Sequence, residues 1–257
     1  MDLGIQGKLA LVTASSGGMG RNIARTLAAE GANLMLFART AEKLGSVAAE
    51  IERDFGVRAH AVAGSMLETA DIARLAAALA ESGGPDIAVL VTGRPPNPLR
   101  DALQETDDSR WQQAYDSQLR SVIQIVNAVV PLMRGRGWGR LLAITSASAK
   151  QPMAVHALST VFRAGVTAYM KGLANELGAD GITVNCVAPA LIDTSHRTGA
   201  AAYSAAQAEH RRSLTPLRRM GTQEEFASVV AFLASRQAGF ITGSTIAVEG
   251  GMIGSLF

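Results

Sequence analysis

Lys8-Leu9-Ala10-Leu11-Val12-Thr13, running straight into Ala14-Ser15-Ser16-Gly17-Gly18-Met19-Gly20, is the stretch that decides the fold. A short apolar run ending at a polar, glycine-rich turn reads as a buried strand. Met19 to Glu30 then continues as an alanine-rich helix. A glycine-rich turn placed between strand and helix lets the backbone approach a phosphate. The anion then rests on the helix N-terminus, where free N–H groups and the helix dipole attract negative charge. Glycines alone say little, because any tight turn uses them; the strand before and the helix after give the motif its meaning.

Outward from this unit the pattern repeats. Asn33 to Ala38, Val57 to Ala63, Ile87 to Val91, Arg140 to Ser146, Gly181 to Ala188 and Thr245 to Val248 read as further strands. Helical patterns fall between them at Ala41 to Phe55 and near 68–82, 107–133, 157–178 and 222–234. Continuously apolar strands alternating with helices predict an α/β fold, a doubly wound parallel sheet with helices on both faces. Pro95-Pro96-Asn97-Pro98 reads as a stiff loop rather than a boundary, so residues 1–257 are expected to form a single domain.

Composition narrows the function classes. The net charge of +2 is spread out and gives no nucleic-acid stripe. Arg211, Arg212, Arg218 and Arg219 do cluster, and a solvated helix end is favoured there over a phosphate site. The one cysteine, Cys186, excludes an intramolecular disulfide and lies in an apolar run that suggests a small buried residue. No metal site is expected. The N-terminal residues lack a signal-peptide layout, and no apolar run reaches membrane-spanning length, so a cytoplasmic protein without membrane partners is expected.

Thr13 to Gly20 resembles the T-G-x-x-x-G-x-G signature of the short-chain dehydrogenase/reductase family, with Ala14 replacing the first glycine. Asp86 to Gly93 is similar to the family's fourth strand, although Leu90-Val91-Thr92 departs from its Asn-Asn-Ala. Gly181 to Ala190 resembles the sixth strand and Pro-Gly turn, with Ala190 for glycine. Pro216 to Gly221, Phe240 to Gly243 and Val248 to Gly251 resemble the C-terminal third. The motifs occur in order along nearly the whole chain, and the nearest well-known members are the 3-oxoacyl-acyl-carrier-protein reductases. The resemblance implies a Rossmann-type sheet, a nicotinamide dinucleotide, a small-molecule or acyl-chain substrate and a homotetramer paired through the helices near 107–133 and 157–178.

It also implies a cofactor site made by Thr13, Ser16, Gly18, Met19, Gly20, Ser65, Met66, Gly93, Pro189, Ala190, Ile192 and Thr194, the last at the position that holds the nicotinamide carboxamide. Arg39 and Thr40 end the second strand, where an acidic residue would bond the ribose hydroxyls of NAD. An arginine suits a 2′-phosphate, so NADP(H) is favoured over NAD(H).

The catalytic positions have changed. Ser146 occupies the family's serine position, but Ser159 stands at the tyrosine, Arg163 at the lysine and Gln118 at the asparagine. A serine hydroxyl does not ionise in a useful range, and an arginine stays protonated. Arg163 is therefore expected to hold the nicotinamide ribose rather than relay a proton. His156 precedes Ser159 by three and Lys150 follows Ser146 by four, which makes both candidate acids; Tyr115 is a third. Three readings stay open: an oxidoreductase with a rearranged acid, acting on a carbonyl compound or on an imine or enone; a non-redox lyase or isomerase; and a silent dinucleotide-binding protein.

Overall fold

The structure, a computed structural model, describes residues 2–193 and 204–256. β1 (Leu9–Thr13), α1 (Gly18–Ala29), β2 (Asn33–Ala38), α2 (Ala41–Phe55), β3 (Ala59–Ala63), α3 (Thr69–Glu81) and β4 (Ile87–Leu90) form the first half. α4 (Asp108–Ala114), α5 (Ser121–Met133), β5 (Gly139–Ile144), α6 (Ala157–Leu177), β6 (Ile182–Pro189), α7 (Ala205–Ser213), α8 (Gln223–Ala234) and β7 (Thr245–Val248) complete it. All seven strands are parallel, in the order β3-β2-β1-β4-β5-β6-β7. The strand order reverses between β1 and β4, which opens a crevice at their C-terminal ends.

Each strand feeds both faces, because successive side chains point to opposite sides. Ala10, Val12, Leu34, Leu36, Val89 and Leu142 join Ile23, Leu27, Leu44 and Phe226 under α1, α2 and α8. Leu11, Met35, Phe37, Leu90 and Leu141 join Leu75, Ile125, Val126, Val166 and Met170 under α3, α5 and α6. Cys186 is buried in this second layer, and burial pushes its thiol up to about 12. It is inert packing. The arginine cluster is largely spent locally, Arg212 on Glu209, Arg219 on Glu225 and Arg218 on the Ser213 carbonyl.

Two expected elements differ. The single helix over 107–133 is interrupted: Tyr115–Arg120 forms a π-helical turn between α4 and α5. α7 was not anticipated; it begins with a capping box in which Ser204 accepts from the Gln207 N–H. Among the described residues no helix is long and apolar enough to cross a membrane.

Candidate active site

The glycine loop uses left-handed backbone conformations, which favour glycine. Gly18 has φ +53°, and Ala14, where the family has glycine, sits at φ +49° in the same left-handed region. A Cβ on Gly20 would lie 2.4 Å from the Ala14 carbonyl oxygen, so the first turn of α1 packs directly on the loop. Gly17, the N-cap of α1, has no side chain to cap the helix, and the first turn carries no acid. Thr13 fastens the loop to the sheet: its Oγ1 donates to the Val91 carbonyl at 2.7 Å and accepts the Val91 N–H at 2.8 Å. Ser15 Oγ beside it is buried without a partner.

A cavity of about 700 Å³ runs along the crevice from this loop. Ser16, Arg39, Thr40, Ser65, Met66 and Gly93 all line it, so these sequence-derived positions come together. Arg39 is exposed there with no hydrogen-bonding or acidic partner among the described residues. Ala38 before it is buried and apolar. Ala190 and Ile192 line a separate cavity of about 230 Å³ against Gly221, Glu225 and Val248. Ala190 is tied to β7 through the Val248 carbonyl, and Ile192 pairs with Gly221. Pro189 ends β6. Thr194 lies outside the described residues.

At the β5 end three serines converge. Ser146 caps the short 3-10 turn Ala147–Ala149, and its Oγ accepts the Ser148 N–H at 3.2 Å. Ser148 Oγ lies 3.0 Å from Ser146 Oγ and 3.5 Å from Ser159 Oγ on α6. Ser148 was missed from sequence; its polarity inside an otherwise buried turn was the available signal.

Arg163, one helical turn past Ser159, is buried with no carboxylate partner among the described residues. Its Nη1 donates to Thr92 Oγ1 and, at 2.9 Å, to the Ile144 carbonyl; its Nη2 donates to the Gly93 carbonyl at 2.9 Å. Burial lowers its guanidinium to about 10, which still leaves it charged at neutral pH. The side chain thus clamps the end of β4 to the end of β5. Gln118 sits in the π-helical turn, fully buried, with neither side-chain amide atom bonded among the described residues. Such turns tend to occur at functional positions.

The other candidate acids each have a partner of their own. Lys150 Nζ donates to the Thr245 carbonyl of β7 at 3.2 Å. His156 is the N-cap of α6, with its Nδ1 2.7 Å from the Ala154 carbonyl oxygen. Tyr115 is partly exposed and packs on the Phe162 ring.

The rim of the site is also fixed. Arg110 on α4 pairs through Nε and Nη2 with both oxygens of the buried Glu105 carboxylate. The same guanidinium donates to the carbonyls of Pro96, Asn97 and Pro98. Hydrogen bonding by Arg110 holds Glu105 below the usual carboxylate range.

The enoyl-(acyl carrier protein) reductase family model matches residues 13–253. The chain is 36% identical to the 3-oxoacyl-[acyl-carrier-protein] reductase of Salmonella typhimurium, over 97% of this chain and 99% of that one. It is 35% identical to dehydrogenase/reductase SDR family member 4 of Oryctolagus cuniculus, over 95% and 93% of the two chains. Among solved structures, the L-sorbose reductase of Gluconobacter frateurii, complexed with NADPH and L-sorbose, superposes with a TM-score of 0.92 at 31% identity and full coverage of both chains. The parallel sheet with its reversal at β1 and β4, the glycine loop packed against α1 and these likenesses along almost the whole length agree: the chain belongs to the short-chain dehydrogenase/reductase family of oxidoreductases.

Proposed function

We propose that this protein is an NADP-preferring oxidoreductase that moves hydride to or from a carbonyl or alcohol substrate, with an atypical arrangement for the proton. The observation that carries the reading is Arg39, which lines the cavity unpaired, with no carboxylate at Ala38 to select an unphosphorylated ribose. A planar guanidinium in that position suits a 2′-phosphate. The residues present fit a dinucleotide. Gly20 leaves no room for a side chain against Ala14, and the uncapped α1 N-terminus offers its N–H groups to a pyrophosphate. Ser65 and Met66 flank the adenine and Thr194 serves the nicotinamide carboxamide; Arg163 serves the ribose only through the N–H groups left over from its bonds to Thr92, Ile144 and Gly93. The solved relative bound to NADPH supports the same choice.

The nicotinamide, when bound, supplies the hydride. Ser146 holds the substrate oxygen, and Ser159 assists by hydrogen bonding. Neither serine is an acid, and Arg163 retains its proton at neutral pH. A proton bound for oxygen then comes from Lys150 or His156, or through a water that the unpartnered Gln118 amide is suited to anchor. Loss of the family's tyrosine at Ser159 also favours a second substrate class, imines and conjugated double bonds, whose reduction needs no proton on oxygen. Assembly as a homotetramer belongs to the same proposal and is checked by light scattering.

Calorimetric titration tests the cofactor. NADPH is expected to bind at least about 10-fold more tightly than NADH, a difference of about 1.4 kcal/mol. Arg39→Asp should reverse that order. A screen of ketones, imines and enones for NADPH oxidation follows. Binding of neither nucleotide overturns the reading.

A further inference from the structure

We propose that Ser148 is a positioning residue that fixes the Ser146 hydroxyl as a hydrogen-bond donor to a substrate carbonyl. This rests on the oxidoreductase reading above. A serine hydroxyl has one proton and two acceptor positions. The Ser148 N–H fills one acceptor position of Ser146 at 3.2 Å, and the Ser148 hydroxyl lies 3.0 Å away, within reach of the second. When the Ser148 hydroxyl donates there, what Ser146 has left is its proton.

The direction of the hydroxyl pair follows from the ligand. Ser148 is fully buried and has two hydroxyl neighbours for its single proton, so it gives to one and accepts from the other. A carbonyl oxygen only accepts. Once it meets Ser146, Ser146 donates outward, Ser148 donates to Ser146, and Ser159, 3.5 Å from Ser148, donates to Ser148. Each hydroxyl polarises the next, and Ser148 and Ser159 are both buried. Negative charge developing on the substrate oxygen then meets a donor already aligned, the arrangement that lowers a barrier most effectively.

The local fold makes this possible. Ser146 caps the 3-10 turn Ala147–Ala149, which folds Ser148 back over the residue two before it. α6 delivers Ser159 from the other side, in the position that the family gives to tyrosine. The chain thus supplies orientation in place of an acid.

The test uses the purified full-length enzyme, NADPH and the ketone turned over fastest in the screen. Ser148→Ala should lower kcat about 10-fold, less than the roughly 100-fold or more seen when a donor in direct contact is removed. KM for the ketone and Kd for NADPH should stay within about twofold, and Ser148→Thr should recover most of kcat. Ser146→Ala with Ser148→Ala should be no slower than Ser146→Ala alone, because Ser148 acts through Ser146. A kcat for Ser148→Ala within about twofold of wild type overturns the proposal alone, as does additivity of the two losses. No turnover of any ketone by the wild-type enzyme overturns the proposal, whereas the underlying reading falls only if neither nucleotide binds or no ketone, imine or enone is turned over.

Discussion

Replacing Ala14 by glycine should raise the melting temperature, the reverse of what the same substitution does in ordinary strand. Ala14 has φ +49°, a region that costs an L-residue about 1–2 kcal/mol. Glycine removes that strain but adds about 0.5–1 kcal/mol of unfolded-state entropy. The lost methyl is partly buried against the α1 layer and is worth a fraction of the roughly 0.8 kcal/mol of a fully buried carbon. The net gain is about 0.5 kcal/mol, or about 1–2 °C in a chain of this size. Ala10, fully buried in β1, provides the control. There glycine relieves nothing, and Ala10→Gly should lose about 1.5 kcal/mol from entropy and burial together. Scanning calorimetry of both variants reads the gap of about 2 kcal/mol directly. If Ala14→Gly melts as far below wild type as Ala10→Gly, the loop is not strained at Ala14 and the reasoning fails.

Three further outcomes are expected. Ser15→Ala removes a buried hydroxyl that has no partner, so stability should hold or rise by up to about 1 kcal/mol; a clear loss in thermal melts would show that the hydroxyl is in fact paired. Gly20→Ala puts a Cβ 2.4 Å from the Ala14 carbonyl oxygen, and the backbone shift it forces should weaken NADPH binding by more than about 10-fold in calorimetry. Hydrogen bonds from Arg219, then from the Thr222 N–H, hold Glu225 down at about 2. Its folded value lies below the unfolded value of about 4.3, so the stabilisation is full above that pH and lost as pH falls through about 2. Glu225→Gln should therefore melt below wild type at neutral pH, with the gap closing as the pH approaches 2; a gap that persists in acid would refute the ionic account.

The strands were legible because parallel strands covered on both faces read as unbroken apolar runs, and Leu9 to Thr13 or Arg140 to Ile144 have no other reading. The glycine loop was legible because its chemistry is local. The π-helical turn at Tyr115 to Arg120 was not, since one extra residue in a turn barely disturbs a helical hydrophobic pattern. Nor were the partners of Lys150 and Arg163: Thr245 lies 95 residues from Lys150, and Thr92 lies 71 from Arg163. Sequence spacing placed Lys150 near Ser146 but could not show that its amine is taken up by β7. Ser148 was not legible because no family motif marks it and its role depends on two oxygen–oxygen distances.

The Arg110 contacts bear on how this site can be transplanted. The shape of Pro96-Asn97-Pro98 is held by a guanidinium on a later helix, which is itself held by Glu105. A chimera that received only the proline-rich segment would inherit its letters without its form. Loop, carboxylate and helix have to travel together, so the smallest exchangeable cassette at this rim runs from Arg94 through Arg110.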